Sequence, residues 1–243
     1  MKLCMFTPRE MALERGWPGR IDGDEVVQLA AQTLQAFFTG GGAAREHARY
    51  ALADCDFRPP VIAPPSVRIF DLFSPTNEPF FVFGPTAPIY GHGQQASIPD
   101  GEVDVAAGIA AVIGAEGAIG GFTAVAAFVA RDVESAERAA GRGPGKSLDA
   151  GIALGPVLRT PDEWEGMTGT VTLRINDAEI ATASLTDLTV AWDDVVAYAA
   201  RSAVLRPGDV LFSGGIPAEP VRLAPGDQIE VEIPTLGTLA VSV

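Results

Sequence analysis

Basic residues are scarce in this chain: 17 Lys and Arg stand against 31 Asp and Glu, a formal net charge of −14. Lys2 and Lys146 are the only lysines. A field of that sign repels phosphate backbones and anionic lipid, so neither nucleic acid nor a membrane surface is an expected partner. Cysteine is nearly absent. Cys4 and Cys55, with no CxxC, build neither a disulfide framework nor a thiolate zinc site, and a reduced, cytoplasmic location is expected. Histidine is limited to His47 and His92. No apolar run is long enough without interruption to span a bilayer. The nearest, residues 105–130, is punctuated by Gly114, Gly117, Gly120 and Gly121 and carries Glu116 at its middle. A charge there costs about 2.5–3.5 kcal/mol on insertion scales. Two buried strands joined by a Glu116-Gly117 turn are expected instead. The opening residues meet charge at Arg9 and Glu10 too soon for a signal peptide.

What is present is a globular composition: 243 residues, 47% hydrophobic and 20% charged. That length suits one large domain carrying a small one. Pro59-Pro60 and Pro64-Pro65 bracket an extended segment that stiffens the chain and removes backbone donors. A small N-terminal domain over residues 1–60 and a larger one over 61–243 are therefore expected. In the first, residues 3–6 read as a strand, residues 25–38 as a helix stopped by Gly40-Gly41-Gly42, and residues 45–54 as a second helix bearing an exposed His47. In the second, strand signals prevail at residues 80–83, 103–113, 121–130, 170–175, 180–185, 210–213, 228–233 and 239–243. Asn176-Asp177 predicts a hairpin turn, and residues 192–204 an amphipathic helix with Asp193 and Asp194 at its N-terminus. The class is α+β and β-rich.

Two related segments close the chain: Leu205-Arg206-Pro207-Gly208-Asp209-Val210 running to Ser213-Gly214-Gly215, and Leu223-Ala224-Pro225-Gly226-Asp227, followed by Leu236-Gly237-Thr238-Leu239. Upstream stand Lys146-Ser147-Leu148-Asp149, Gly155-Pro156 and Arg131-Asp132. Residues 64–70 resemble a family lead-in and residues 19–27 an N-terminal hairpin. Taken in this order, the motifs resemble the fumarylacetoacetate hydrolase superfamily over nearly the whole chain. The resemblance implies a mixed β-sandwich roll with a small N-terminal domain, a homodimer or a heteromer with a paralogue, and chemistry on small 2-oxo acids, 1,3-dicarbonyl or enol compounds.

The resemblance also implies a Mg²⁺-type ion held by a Glu-x-Glu pair and an Asp. Alternate strand residues share a face, and a hard dication needs oxygen donors. Here the three positions fall at Ala106, Gly108 and Ala127, so no metal and no other cofactor is expected. The lid His that serves as base in relatives is also missing, because the chain runs through residues 74–79 directly into Phe80. His92, between Gly91 and Gly93, reads as a loop residue. Lys146, Arg131 and Ser213 remain as candidate catalytic residues, with Gly214, Gly215 and Asp149 as substrate-binding candidates. Lys146 has an equally available reading as the ion-pair partner of Asp149. Three functions stay open. One is a metal-independent enzyme performing isomerisation, cyclisation, decarboxylation or carbon–carbon cleavage. Another is a non-catalytic scaffold or binding subunit for an active paralogue. The third is a Mg²⁺-dependent acylpyruvate-type hydrolase with a site shifted to Glu102 and Asp104.

Overall fold

The computed structural model describes residues 1–11, 13–75, 78–164 and 166–243. The chain opens with strands β1 (Lys2–Pro8), β2 (Trp17–Asp22) and β3 (Glu25–Leu29), helix α1 (Leu34–Thr39), then β4 (Glu46–Ala51) and β5 (Cys55–Arg58). Next come β6 (Val67–Phe70), β7 (Phe81–Phe83), β8 (Ile89–Tyr90), the long β9 (Val103–Ile113) and β10 (Ile119–Ala130), and helix α2 (Arg131–Ala139). After β11 (Ile152–Arg159), β12 (Thr170–Ile175) and β13 (Ala178–Ser184), helix α3 (Trp192–Ala199) precedes β14 (Val210–Phe212), β15 (Gln228–Ile233) and β16 (Gly237–Ser242).

Twelve strands form one sheet in the order β4-β3-β2-β1-β11-β10-β9-β14-β6-β7, with β5 against β1 and β8 against β11. The remaining four form a second sheet, β13-β12-β15-β16. The large sheet is mixed, because β14 runs parallel to β6 and β11 parallel to β8 while β9 and β10 pair antiparallel. The α+β, β-rich class holds. Among the described residues no helix is long and apolar enough to cross a membrane.

The β9–β10 hairpin is the spine, and its apolar sequence follows from burial on both faces. Val105, Ala107, Ile109, Ala111 and Ile113, with Phe122, Ala124, Ala126 and Phe128, pack toward the second sheet, meeting Leu173, Val231 and Leu239. The alternate residues Ala110, Val112, Val125 and Ala127 face a separate core with α1 and Phe212. The expected turn lies between them: Glu116 and Gly117 both take positive φ, 54° and 79°. The Asn176-Asp177 hairpin also forms, with φ of 51° and 65°, as a type I′ turn requires.

The N-terminal readings need two corrections. Residues 25–38 are not one helix. Val26 and Val27 are β-branched and pair with Ile21 and Arg20 of β2, so the segment starts as a strand. Helix α1 begins only after Thr33, whose Oγ1 accepts from the Ala36 N–H at 3.0 Å. Nor is residues 45–54 a helix. It supplies the edge strand β4, whose Arg49 donates to Glu25 at 2.9 Å while Arg20 reaches Glu46 at 2.7 Å. Charges spaced as on a helix face serve here as cross-strand pairs. His47 is exposed, on a strand. The expectation of a short run without a lid through residues 74–79 includes Thr76 and Asn77, which lie outside the described residues.

Candidate functional site

Strand register brings the three positions at which the resemblance implies ligands to one place. Ala127 on β10 is the direct partner of Ala106 on β9, and Gly108 lies two residues further along the same face. Ala106 and Ala127 line a cavity of about 490 Å³ bounded by β6, β7, β9, β10, α2 and the segment after β14. Its floor is made of Ala106, Ala127, Gly214 and Gly215, and one wall of Ile69, Phe80, Phe81, Val82 and Phe212.

The floor is closed to larger side chains. A Cβ at Gly108 would lie 2.4 Å from the Gly214 carbonyl oxygen and 2.7 Å from Ser213 Oγ. One at Gly215 would lie 2.9 Å from the Ala106 methyl. The Ser213–Gly215 backbone therefore occupies the space a Gly108 side chain would enter. Backbone bonds hold it there: Ser213 N–H donates to Ile109 O at 2.9 Å and Ile216 N–H to Ala107 O at 2.8 Å.

The opposite wall is charged. Arg131, the first residue of α2, donates from Nε and Nη2 to Asp104 Oδ2 at 3.0 and 2.7 Å, and from Nη1 to Glu134 Oε2 at 2.8 Å. Arg138 Nη2 donates to Glu134 Oε1 at 2.7 Å. Asp104 Oδ1 accepts from the Val105 and Val221 N–H groups at 2.7 and 3.3 Å. Helix geometry explains the pairing, since Arg131, Glu134 and Arg138 lie three and four residues apart on one face. Burial opposes the Arg131 charge, yet hydrogen bonds to Glu134 and Asp104 overcome it and raise the pKa above the ordinary arginine value. Burial likewise works against ionised Glu134, but the Arg138 and Arg131 hydrogen bonds hold its carboxyl below the usual range.

These observations decide whether a divalent ion fits. Ala106 and Ala127 offer methyl groups, Gly108 offers nothing, and Asp104 already accepts four hydrogen bonds. Among the described residues no group of three His, Cys, Asp or Glu side chains is placed to hold a metal. The donor set does not match a hard dication, which takes six or more oxygen ligands.

Of the sequence candidates, Arg131, Gly214 and Gly215 line the cavity. Ser213 sits behind its floor, fully buried, its hydroxyl donating to Gly214 O at 2.8 Å and accepting from Ile109 N–H at 3.2 Å. Lys146 is on the outside: its side chain is 77% exposed, and Nζ is 3.0 Å from Asp149 Oδ2. The loop carrying it is held by Glu137, which accepts from Gly145 N–H, Lys146 N–H and Ser147 Oγ at 3.0, 2.6 and 2.7 Å. His92 Nδ1 accepts from the Ala240 N–H at 3.2 Å, away from the cavity. Sequence reasoning missed Glu134, Arg138 and Asp71. The Arg-x-x-Glu-x-x-x-Arg spacing after Arg131 could have revealed the first two. Asp71 carries no such signal.

A mixed twelve-stranded sheet backed by a four-stranded one, with a cleft between the β9–β10 hairpin and the segment after β14, defines the class as a β-rich α+β fold with a cavity at one end of the spine. A family model for the fumarylacetoacetate (FAA) hydrolase C-terminal region matches residues 41–243, and the chain belongs to that family. It is 26% identical to fumarylacetoacetate hydrolase domain-containing protein 2 of Pongo abelii, over 90% of this chain and 83% of that protein. It is 29% identical to the mitochondrial oxaloacetate tautomerase Fahd2a of Rattus norvegicus over 57% of this chain, a match spanning about half (49%) of that relative. The structure of maleylpyruvate hydrolase from Sphingobium sp. SYK-6 in complex with manganese(II) and pyruvate superposes with a TM-score of 0.80 at 22% identity, over 100% of this chain and 98% of that one. At that identity the likeness speaks for the fold alone.

Proposed function

We propose that the protein is a metal-independent member of its family that binds a small carbonyl or enol compound, with the Arg131 guanidinium as the charge that meets the ligand's oxygen. The observation carrying this reading is the state of Arg131. A guanidinium has five N–H donors and stays charged at any physiological pH. Three donors are engaged by Asp104 and Glu134. The side chain is nevertheless 41% exposed and lines the cavity, so two donors remain for a ligand. The carboxylates keep the guanidinium in one orientation, which is what an oxyanion site requires.

Such a site favours reactions whose difficult species is an enolate. In enolisation solvent water takes a proton from carbon, the C–H electron pair becomes the C=C bond and the carbonyl pair moves onto oxygen, where Arg131 stabilises it until water returns a proton to that oxygen. Glu134 is a poor proton acceptor, because its hydrogen bonds from Arg138 and Arg131 hold its carboxyl below the usual range. That relatives include an oxaloacetate tautomerase and a maleylpyruvate hydrolase supports a ligand with an enolisable carbonyl. Lys146 drops out as the charge donor in this reading, being paired with Asp149 at the surface.

Titration of 1-phenyl-1,3-butanedione in the presence of EDTA tests the proposal. Binding that survives the chelator and weakens at least about tenfold in Arg131→Met is expected, the scale of one charge-assisted hydrogen-bonded contact. Binding that appears only with added Mg²⁺ or Mn²⁺ would overturn it and restore the hydrolase with a shifted site.

A second reading, a non-catalytic subunit for an active paralogue, draws on the closed floor. Ala106, Gly108 and Ala127 pack as structural residues there, and an apolar floor stabilises a sheet that charged ligands would strain. Co-purification with a paralogue that keeps acidic residues at these positions, together with no binding of the diketone, would favour it.

A further inference from the structure

The cavity's charge, taken with its walls, bears on which carbonyl compounds it accepts; the argument rests on the reading of Arg131 above. Asp71, Asp104, Glu134 and Glu219 line the cavity with Arg131 and Arg138, a net charge of minus two. The guanidiniums are both paired with carboxylates. Asp71 and Glu219 are exposed, and neither side chain has a hydrogen-bond or ion-pair partner among the described residues. Asp71 is fixed in place by its neighbours. Leu72 N–H donates to Ser213 O at 2.8 Å, and the Asp71 Cα packs beside Gly214. Exposed Phe80 and the Phe81 ring cover the adjoining wall.

We infer that this cleft selects an uncharged or ammonium-bearing ketone with a flat apolar body and discriminates against 2-oxo acid anions. A carboxylate entering the cavity would approach two free carboxylates within a molecule of net charge −14, with no dication to offset them. An ammonium group on the ligand has the opposite experience. Asp71 and Glu219 attract it, and the exposed Phe80 ring favours a cation close by. The ligand's carbonyl oxygen takes the spare Arg131 donors in either case. Lining carboxylates thus act as a filter on charge, while Arg131 reads the oxygen shared by every candidate.

Three probes with one phenyl body separate the alternatives: 3-dimethylaminopropiophenone, cationic at neutral pH; 1-phenyl-1,3-butanedione, uncharged in its ketone form; and phenylpyruvate, an anion. Calorimetric titration at low salt with EDTA is expected to rank them in that order, with phenylpyruvate at least about tenfold weaker than the cation. Asp71→Asn is expected to narrow that gap by raising phenylpyruvate affinity and lowering that of the ammonium ketone. Phenylpyruvate binding as tightly as the other two, or an unchanged gap in folded Asp71→Asn, would overturn the inference while leaving the carbonyl site intact. Failure of all three probes to bind would instead overturn the Arg131 reading, and this inference with it.

Discussion

The floor and the charged wall of one cavity are built on opposite rules. At the floor, side chains are reduced to methyl groups and hydrogens, and backbone closes on them until a single added carbon at Gly108 would meet the Gly214 carbonyl at 2.4 Å. On the wall, long charged side chains are kept and every guanidinium is tied to a carboxylate. The contrast teaches that the paired charge here belongs to the helix α2 side. Ala106, Gly108 and Ala127 are held by packing, and the positive charge facing the cavity comes from α2.

The contrast breaks most readily at the floor. Gly108→Ala is expected to lower stability by about 3 kcal/mol, read from the urea midpoint, because the nearest contacted atom is the Gly214 carbonyl oxygen, which cannot rotate away. Full stability in that variant would mean that the floor has room to spare. Asp104→Ala comes next, at about 2 kcal/mol. It removes two charge-assisted bonds, but Arg131 is exposed enough to rehydrate, which keeps the loss below that of a fully buried pair. Arg131→Met should cost a similar amount, and the double variant should fall short of the sum if the two act as one unit.

Acid titration sharpens the comparison further. Glu134 is held below the usual carboxylate pKa, so its contribution is complete above the unfolded value and is lost as pH falls through the lower folded one. Melting temperature should therefore fall less steeply on acidification in Glu134→Gln than in the parent. An identical pH profile would show that the wall contributes nothing through this group. Lys146→Met, at the outer surface, is expected to leave the urea midpoint unchanged within error, as exposed ion pairs usually do. A clear loss there would place Lys146 in a role its exposure does not suggest.

Local sequence carried much of the fold. The paired Pro-Gly-Asp segments both form the turn their residues dictate: Gly208 and Gly226 take φ of 91° and 97°, and Asp209 and Asp227 each accept from the N–H three residues earlier at 2.7 Å. Yet Asp209 is buried beside Ser66 and Arg68, whereas Asp227 meets Asn176 near the surface. The turn is a local event, and its surroundings are set by residues 143 and 51 positions distant in sequence, a non-local pairing. Helix α2 escaped notice because none of its residues is buried, so it has no apolar stripe to read. Strand β11 was hidden by Gly155-Pro156 at its centre, a pair that ordinarily argues against a central strand.

For the site, the amino-acid order alone determined that positions 106, 108 and 127 carry no donor and that Arg131 follows directly on a strand. Residue type decides what can coordinate or ionise, and no folding changes that. Only the tertiary structure decided which charges meet the cavity. Arg131 and Asp104 are 27 residues apart in sequence and join because β9 and β10 pair in one register. Lys146, equally eligible on paper, was turned outward by the Glu137 hydrogen bonds that set its loop. Charge acts through distance, and distance between remote residues is fixed by packing.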